Sequence, residues 1–187
     1  MTERIICQLI RYDIIDRKDE EIYRFGLEVL FLKCFHYISY LFIAFLCGEL
    51  LRFLLFFCVF SLLRKNAGGY HAKTRTGCYM ASCFTILLVV ISLKYIEIKG
   101  IVLALALAFL ILADGIIIGL APLENKNRKL DNAEKGYFRK KSMLILAVEN
   151  MFLLLFLVIP KYEYVLPIVA AVLCQAGLLL IAKLENP

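Results

Sequence analysis

Six apolar runs, each bounded by charge, glycine or proline, decide what this chain can become: residues 29–47, 50–63, 78–93, 100–120, 143–159 and 164–184. They predict an all-α, polytopic membrane protein with six transmembrane helices. Most of the runs approach the ~20 residues that carry a helix across a bilayer. The run 50–63 falls short. It either crosses obliquely with snorkelling ends or leaves Arg64 and the glycines after it slightly below the membrane surface. Hydrophobic residues make up 62% of the chain and its mean hydropathy is +0.80, well above a soluble average of about half apolar. One membrane-embedded domain over 1–187 is the expectation. There is no tryptophan, so an interfacial aromatic belt has to come from the ten tyrosines and some of the phenylalanines.

Residues 1–24 are too polar for a cleavable signal peptide, which leaves insertion to the first membrane segment. Ile5, Ile6, Leu9, Ile10, Ile14 and Ile15 recur at helical spacing, and the charged cluster from Asp13 to Glu21 keeps the segment out of the bilayer. This pattern suits an amphipathic helix lying in the interface, or one packed on the cytoplasmic face.

The net charge is +6, and its placement is more informative than its size. Loop 64–77 has four cations and no acid, and loop 121–142 has seven cations against three acids. By the positive-inside rule both face the cytoplasm. The short loops at 48–52, 94–99 and 160–163 then lie outside, and both termini inside. Because the cations occupy short loops and not one continuous face, nucleic acid is excluded as a partner. Anionic lipids and an acidic peptide fit better.

Of the seven cysteines, Cys34, Cys47, Cys58, Cys83 and Cys174 lie within apolar runs and are expected to be small buried hydrophobes. No C-x-x-C occurs, so no disulfide framework is implied. Cys83 follows Cys78 by five residues, which rotates it about 140° around a helix. The two thiols diverge, and neither a metal nor another cofactor is expected. His36 lies inside the first apolar run beside Tyr37; a neutral imidazole bonded to a nearby carbonyl or hydroxyl is the favoured reading.

The chemistry concentrates between Arg64 and Cys78, in R-K-N-A-G-G-Y-H-A-K-T-R-T-G-C. A cysteine is a strong nucleophile as thiolate, and a helix N-terminus and nearby cations favour that form. Thr76 and Gly77 are plausible capping residues that would put Cys78 in the first turn of the next helix, with Lys73 and Arg75 close by. His71 can accept the thiol proton and later return it to a leaving amine. On one continuous helix, residues seven apart stand roughly 10 Å from each other, too far for proton transfer. A bend is therefore required, and Gly68, Gly69 and Gly77 allow one. The bland alternative is a solvated loop with an idle histidine and a membrane cysteine.

The pattern R-x-x-x-G-G-x-H-A-x(5)-C after a membrane segment resembles the accessory gene regulator protein B family. A second block, Ala121-Pro-Leu-Glu-Asn-Lys-Asn-Arg-Lys-Leu130 followed by Glu134 and Phe138-Arg-Lys-Lys-Ser142, is similar to that family's basic loop. The resemblance implies a bacterial cell-membrane cysteine endopeptidase that processes the precursor of a cyclic autoinducing peptide in quorum sensing. Cys78 and His71 would be the catalytic dyad, acting through an acyl-enzyme that an internal cysteine or serine of the substrate captures as a thiolactone or lactone. Arg64 matches a motif position and would orient substrate or loop, while Gly68 and Gly69 would give flexible backbone beside His71. Lys126, Arg128 and Lys129 would attract an acidic substrate segment. Backbone N–H groups at the start of the Cys78 helix are the natural oxyanion donors. Asp114, near the end of its apolar run, is a candidate orienting acid for His71, with a structural hydrogen bond the favoured role. A homodimer is admitted as an assembly. Two rival readings stay open: a peptide exporter or transporter without chemistry, using Asp114, Glu149 and Gln175, and a membrane adaptor that binds lipid through its basic loops.

Overall fold

A computed structural model describes residues 2–70, 74–124 and 130–185. Among them the regular structure is helical, with no named strand: α1 (Thr2–Arg11), α2 (Glu20–Leu46), α3 (Leu50–Ala67), α4 (Arg75–Tyr95), α5 (Gly100–Leu120), α6 (Asn132–Val158) and α7 (Val165–Glu185). Five stretches are long and apolar enough to cross a membrane: Arg17–Leu46, Arg75–Tyr95, Gly100–Leu120, Asn132–Val158 and Tyr162–Glu185. Helix α3 does not qualify. It is 18 residues long and carries Arg52, Arg64 and Lys65.

The chain divides into two compact units, Met1–Ile43 and Ala44–Pro187. In the first, the segment expected as one amphipathic stretch over 1–24 is broken. Helix α1 stops at Arg11 because Asp13 takes a left-handed conformation, φ 51°. Asp13 N–H then donates to Ile10 O at 3.1 Å, and Ile14 N–H to Leu9 O at 2.9 Å. That pair of bonds is a Schellman close, which satisfies carbonyls the helix end would otherwise orphan. Helix α2 starts nine residues before the apolar run at 29, since Glu20 and Arg24 form an i,i+4 ion pair that extends its first turns. His36 and Tyr40 share a hydrogen bond at 3.2 Å along α2, matching the hydroxyl-bonded imidazole expected there.

The second unit is built on α7. Of that helix's apolar stretch 61% is buried, against 17–22% for the corresponding stretches of α4, α5 and α6. Helices α3 and α5 pack along it, and α3 also packs on α6. Phe53, Phe56, Val59, Leu63, Asn66 and Ala67 of α3 are buried at spacings of three and four, a single helical face. Glu49 and Arg52 pair at 2.6 Å where α3 begins, which compensates both charges at the break in the apolar run.

Three boundaries differ from the apolar pattern, each for a local polar reason. Helix α3 runs on to Ala67, taking Arg64 into its last turn. Helix α4 begins at Arg75 and is capped by Thr74, not by Thr76 or Gly77; the Thr74 hydroxyl accepts from Gly77 N–H at 3.0 Å. Helix α6 begins at Asn132, so half of the expected loop 121–142 is helix. A reciprocal capping box, Asp131 with Glu134, starts it ahead of the apolar residues. The cysteines of the apolar runs are also not the buried residues expected: Cys34 and Cys58 are exposed, and Cys47, Cys83 and Cys174 are half-buried. The pattern identifies apolar surroundings without saying whether another helix or lipid provides them.

Candidate active site

Arg64 is the first residue of the site that can be built from its surroundings. Helix α3 ends on Gly68, whose φ of 76° and ψ of −152° place it where only glycine is comfortable. The turn brings the Gly68 and Tyr70 carbonyls back over the Arg64 side chain. Its Nη1 donates to Gly68 O at 2.8 Å, and its Nη2 donates to Tyr70 O. Helix α7 holds the same strap from the other side. Gln175 is fully buried, and its Nε2 donates to Gly68 O at 2.9 Å. Tyr70 N–H donates to Leu178 O at 3.0 Å. A side chain at Gly69, φ 126°, would strike the Arg64 guanidinium and approach the Leu178 carbonyl. The glycines expected to supply flexibility are therefore where the backbone is fixed most closely.

A second segment meets the strap. Leu123 N–H donates to Ala67 O at 3.0 Å, and Gly68 and Leu123 form an isolated parallel bridge. The two sequence blocks that carry the family resemblance, far apart in the chain, touch at this point. Glu124, next along, pairs with Lys135 at 2.7 Å and accepts from Leu130 N–H at 3.3 Å. This folds the start of the basic segment back onto the first turn of α6.

Cys78 lies in the first turn of α4, half-buried, with its N–H donating to Thr74 O at 3.0 Å. Arg64 is close enough for its charge to interact with the Cys78 sulfur. Arg64, Gly68, Gly69 and Cys78 are thus gathered at one end of the bundle. Between the strap and Cys78 the chain is not one continuous helix, since α3 stops at Ala67 and α4 starts at Arg75. His71 itself lies outside the described residues, as do Lys126, Arg128 and Lys129. Asp114 accepts a hydrogen bond from Asn150 Nδ2 at 2.9 Å, tying α5 to α6. That is the structural role favoured for it.

Gln175, Thr74 and Leu123 were not singled out as parts of this site. Only Gln175 left a trace in the sequence, as an amide inside an apolar run. A buried amide in a membrane helix needs a partner, and the nearest backbone with free carbonyls is the end of another helix.

Five membrane-length helices along the chain, and in the second unit a polar strap with a cysteine in an adjoining helix turn, define a helical membrane protein with a built site at the end of α3. The chain belongs to the accessory gene regulator B family, whose profile matches residues 2–179. Searches of curated proteins and of solved structures returned no match.

Proposed function

We propose that this protein is a membrane cysteine endopeptidase that cleaves a quorum-sensing propeptide and yields a cyclic peptide. The observation that carries this reading is the double anchoring of the strap. Arg64 and Gln175 fix Gly68 to Tyr70 immediately before His71, while Cys78 occupies a helix N-terminal turn within range of the Arg64 charge. A histidine following a fixed strap can be brought back towards a cysteine seven residues on, which a continuous helix forbids.

In the proposed reaction His71 takes the Cys78 thiol proton as the sulfur attacks the scissile carbonyl carbon. The tetrahedral intermediate places its oxyanion near the N–H groups of the first turn of α4, where the positive helix end favours negative charge. Collapse breaks the C–N bond, and His71 returns the proton to the departing amine. An internal thiol or hydroxyl of the acyl chain then attacks the thioester, closing a thiolactone or lactone and releasing the Cys78 sulfur. Arg64 positions the strap, with Gly68 and Gly69 permitting its path. Lys126, Arg128 and Lys129 draw in the acidic part of the precursor. Asp114 stays a structural acid.

The accompanying topology has six spans, with α3 as a short, oblique one, both termini and the 64–78 and 121–142 segments on the cytoplasmic side of a bacterial cell membrane, and residues 1–24 in the interface. Anionic lipids meet the basic segments of the single domain over 1–187. Of the three polar groups the transporter reading uses, Gln175 and Asp114 are each tied through one atom to Gly68 and Asn150, which gives both a structural role that reading does not need.

The test is Cys78→Ala and Cys78→Ser with the precursor peptide in reconstituted membranes. Both should insert normally and lose nearly all cleavage, and His71→Ala should cost about 10²–10⁴-fold. In the wild type, an adduct carrying the N-terminal part of the substrate should be trapped at Cys78 and released by hydroxylamine. Cleavage by Cys78→Ala, or an adduct on another cysteine, ends the proposal.

A further inference from the structure

Helices α5 and α6 bury a carboxyl cluster that the proposed chemistry does not use. Glu149 is 5% exposed, and neither of its carboxyl oxygens has a hydrogen-bond partner among the described residues. It shares the buried face of α6 with Ser142, Leu146 and Leu153. One residue on, Asn150 donates to Asp114 Oδ2 on α5 at 2.9 Å. The other oxygen, Asp114 Oδ1, is buried and likewise lacks a partner. The two carboxyl groups are close enough for their charges to interact.

Two acids meeting inside a membrane bundle repel each other and gain little from their surroundings unless a cation joins them. The elements packed on α6 are α3, α7, the Tyr162–Tyr164 turn and, through Asn150, α5. The cations of α3 are engaged elsewhere or lie at its end: Arg52 pairs with Glu49, Arg64 binds the strap carbonyls, and Lys65 occupies the last turn. Lys183 lies in the last turn of α7. Asp114 is the only charged residue of α5, while Tyr162, Glu163, Tyr164, Cys58, Cys174 and Glu185 are the remaining titratable groups of these elements. None supplies a positive charge to Glu149.

The geometry points to an intramembrane proton-binding site at Glu149, beside an Asp114 whose Oδ2 is held by Asn150 and whose Oδ1 is buried without a partner among the described residues. A protonated carboxyl is neutral, so one proton removes the buried charge that nothing around Glu149 compensates. This site is independent of the Cys78 reading. A metal cation would need several oxygen ligands, and among the described residues no group of three or more His, Cys, Asp or Glu side chains could hold one.

The experiment uses the full chain in lipid nanodiscs. Infrared spectra should contain a protonated-carboxyl stretch at neutral pH that shifts in D₂O and disappears in Glu149→Gln. The folded protein then holds a proton that the unfolded chain releases, so thermal stability should fall as pH rises above the ordinary carboxylate range. Glu149→Gln should flatten that dependence, and Asp114→Asn should weaken it. The wild-type spectrum alone overturns the proposal if it has no such band, even where a variant fails to insert. It is equally overturned if Glu149→Gln keeps the full pH dependence, or if added sodium stabilises the wild type while pH does not.

Discussion

Helices α3 and α5 both pack on α7, yet the sequence ranks them in the opposite order to the structure. Helix α5 is the most apolar of the membrane-length helices and is only 17% buried along its apolar stretch. Helix α3 is shorter and carries three cations, and its Phe53, Phe56 and Leu63 are almost wholly enclosed. In lipid there is no water for apolar side chains to escape, so hydrophobicity marks what faces the bilayer as readily as what faces protein. Helices meet where packing is close and where polar groups need each other. Helix α3 meets both conditions, through its phenylalanine face and through the carbonyls at its end that Arg64 and Gln175 hold.

The sharpest way to break this comparison is at the end of α3. A Cβ at Gly68 would overlap the Leu123 carbonyl, and the residue's φ of 76° disfavours any L side chain. Gly68→Ala should cost about 3 kcal/mol or more, since strained backbone and backbone overlap combine. Gly115→Ala on α5, where an added Cβ meets nothing within 4 Å, should be neutral or slightly stabilising, because alanine is the better helix former. Thermal unfolding in nanodiscs separates the two. Equal effects would mean that the strap is not fixed as described.

A second test uses side chains of one kind on the two helices. Phe56 is 1% exposed on α3, and Phe109 is 54% exposed on α5. Phe56→Ala should destabilise by about 3 kcal/mol through the cavity it leaves. Phe109→Ala, on the lipid-facing side, should stay within about 0.5 kcal/mol. If both cost the same, the burial of α3 does not govern the bundle.

Much of this was legible beforehand, and the gaps have a common cause. Helix α5 spans the residues its apolar run marks, because Lys99 and Pro122 bracket it and no polar side chain competes for its ends. Where boundaries moved, polar capping moved them: Thr74 started α4 early, and the Asp131–Glu134 box carried α6 back into the basic segment. Arg64 and Cys78 stood out by residue type, whereas Leu123 could not. It takes part through its backbone, which any residue possesses, and only the folded chain brings it to Ala67 and Gly68.

The smallest expected change in stability, and the most discriminating, is at Gln175. Its Nε2 shares the Gly68 oxygen with Arg64 Nη1, at 2.9 and 2.8 Å. In Gln175→Leu that carbonyl keeps one donor, so no acceptor is orphaned. The Gln175 Oε1, buried without a partner among the described residues, disappears as well. One hydrogen bond is lost and one unsatisfied group relieved, so the net cost should be about 1 kcal/mol or less. Activity should respond differently. The strap leads directly into His71, and a small misplacement of a catalytic group can lower turnover by as much as ~10²-fold. Gln175→Leu should therefore reduce kcat about tenfold with KM nearly unchanged. Gln175→Asn, too short to reach Gly68, should lower kcat likewise, at a larger cost in stability because its buried amide is left unsatisfied. In Gln175→Leu, a large fall in stability together with kcat would make Gln175 a packing residue, and an unchanged kcat would leave the strap to Arg64 and the Tyr70–Leu178 backbone bond.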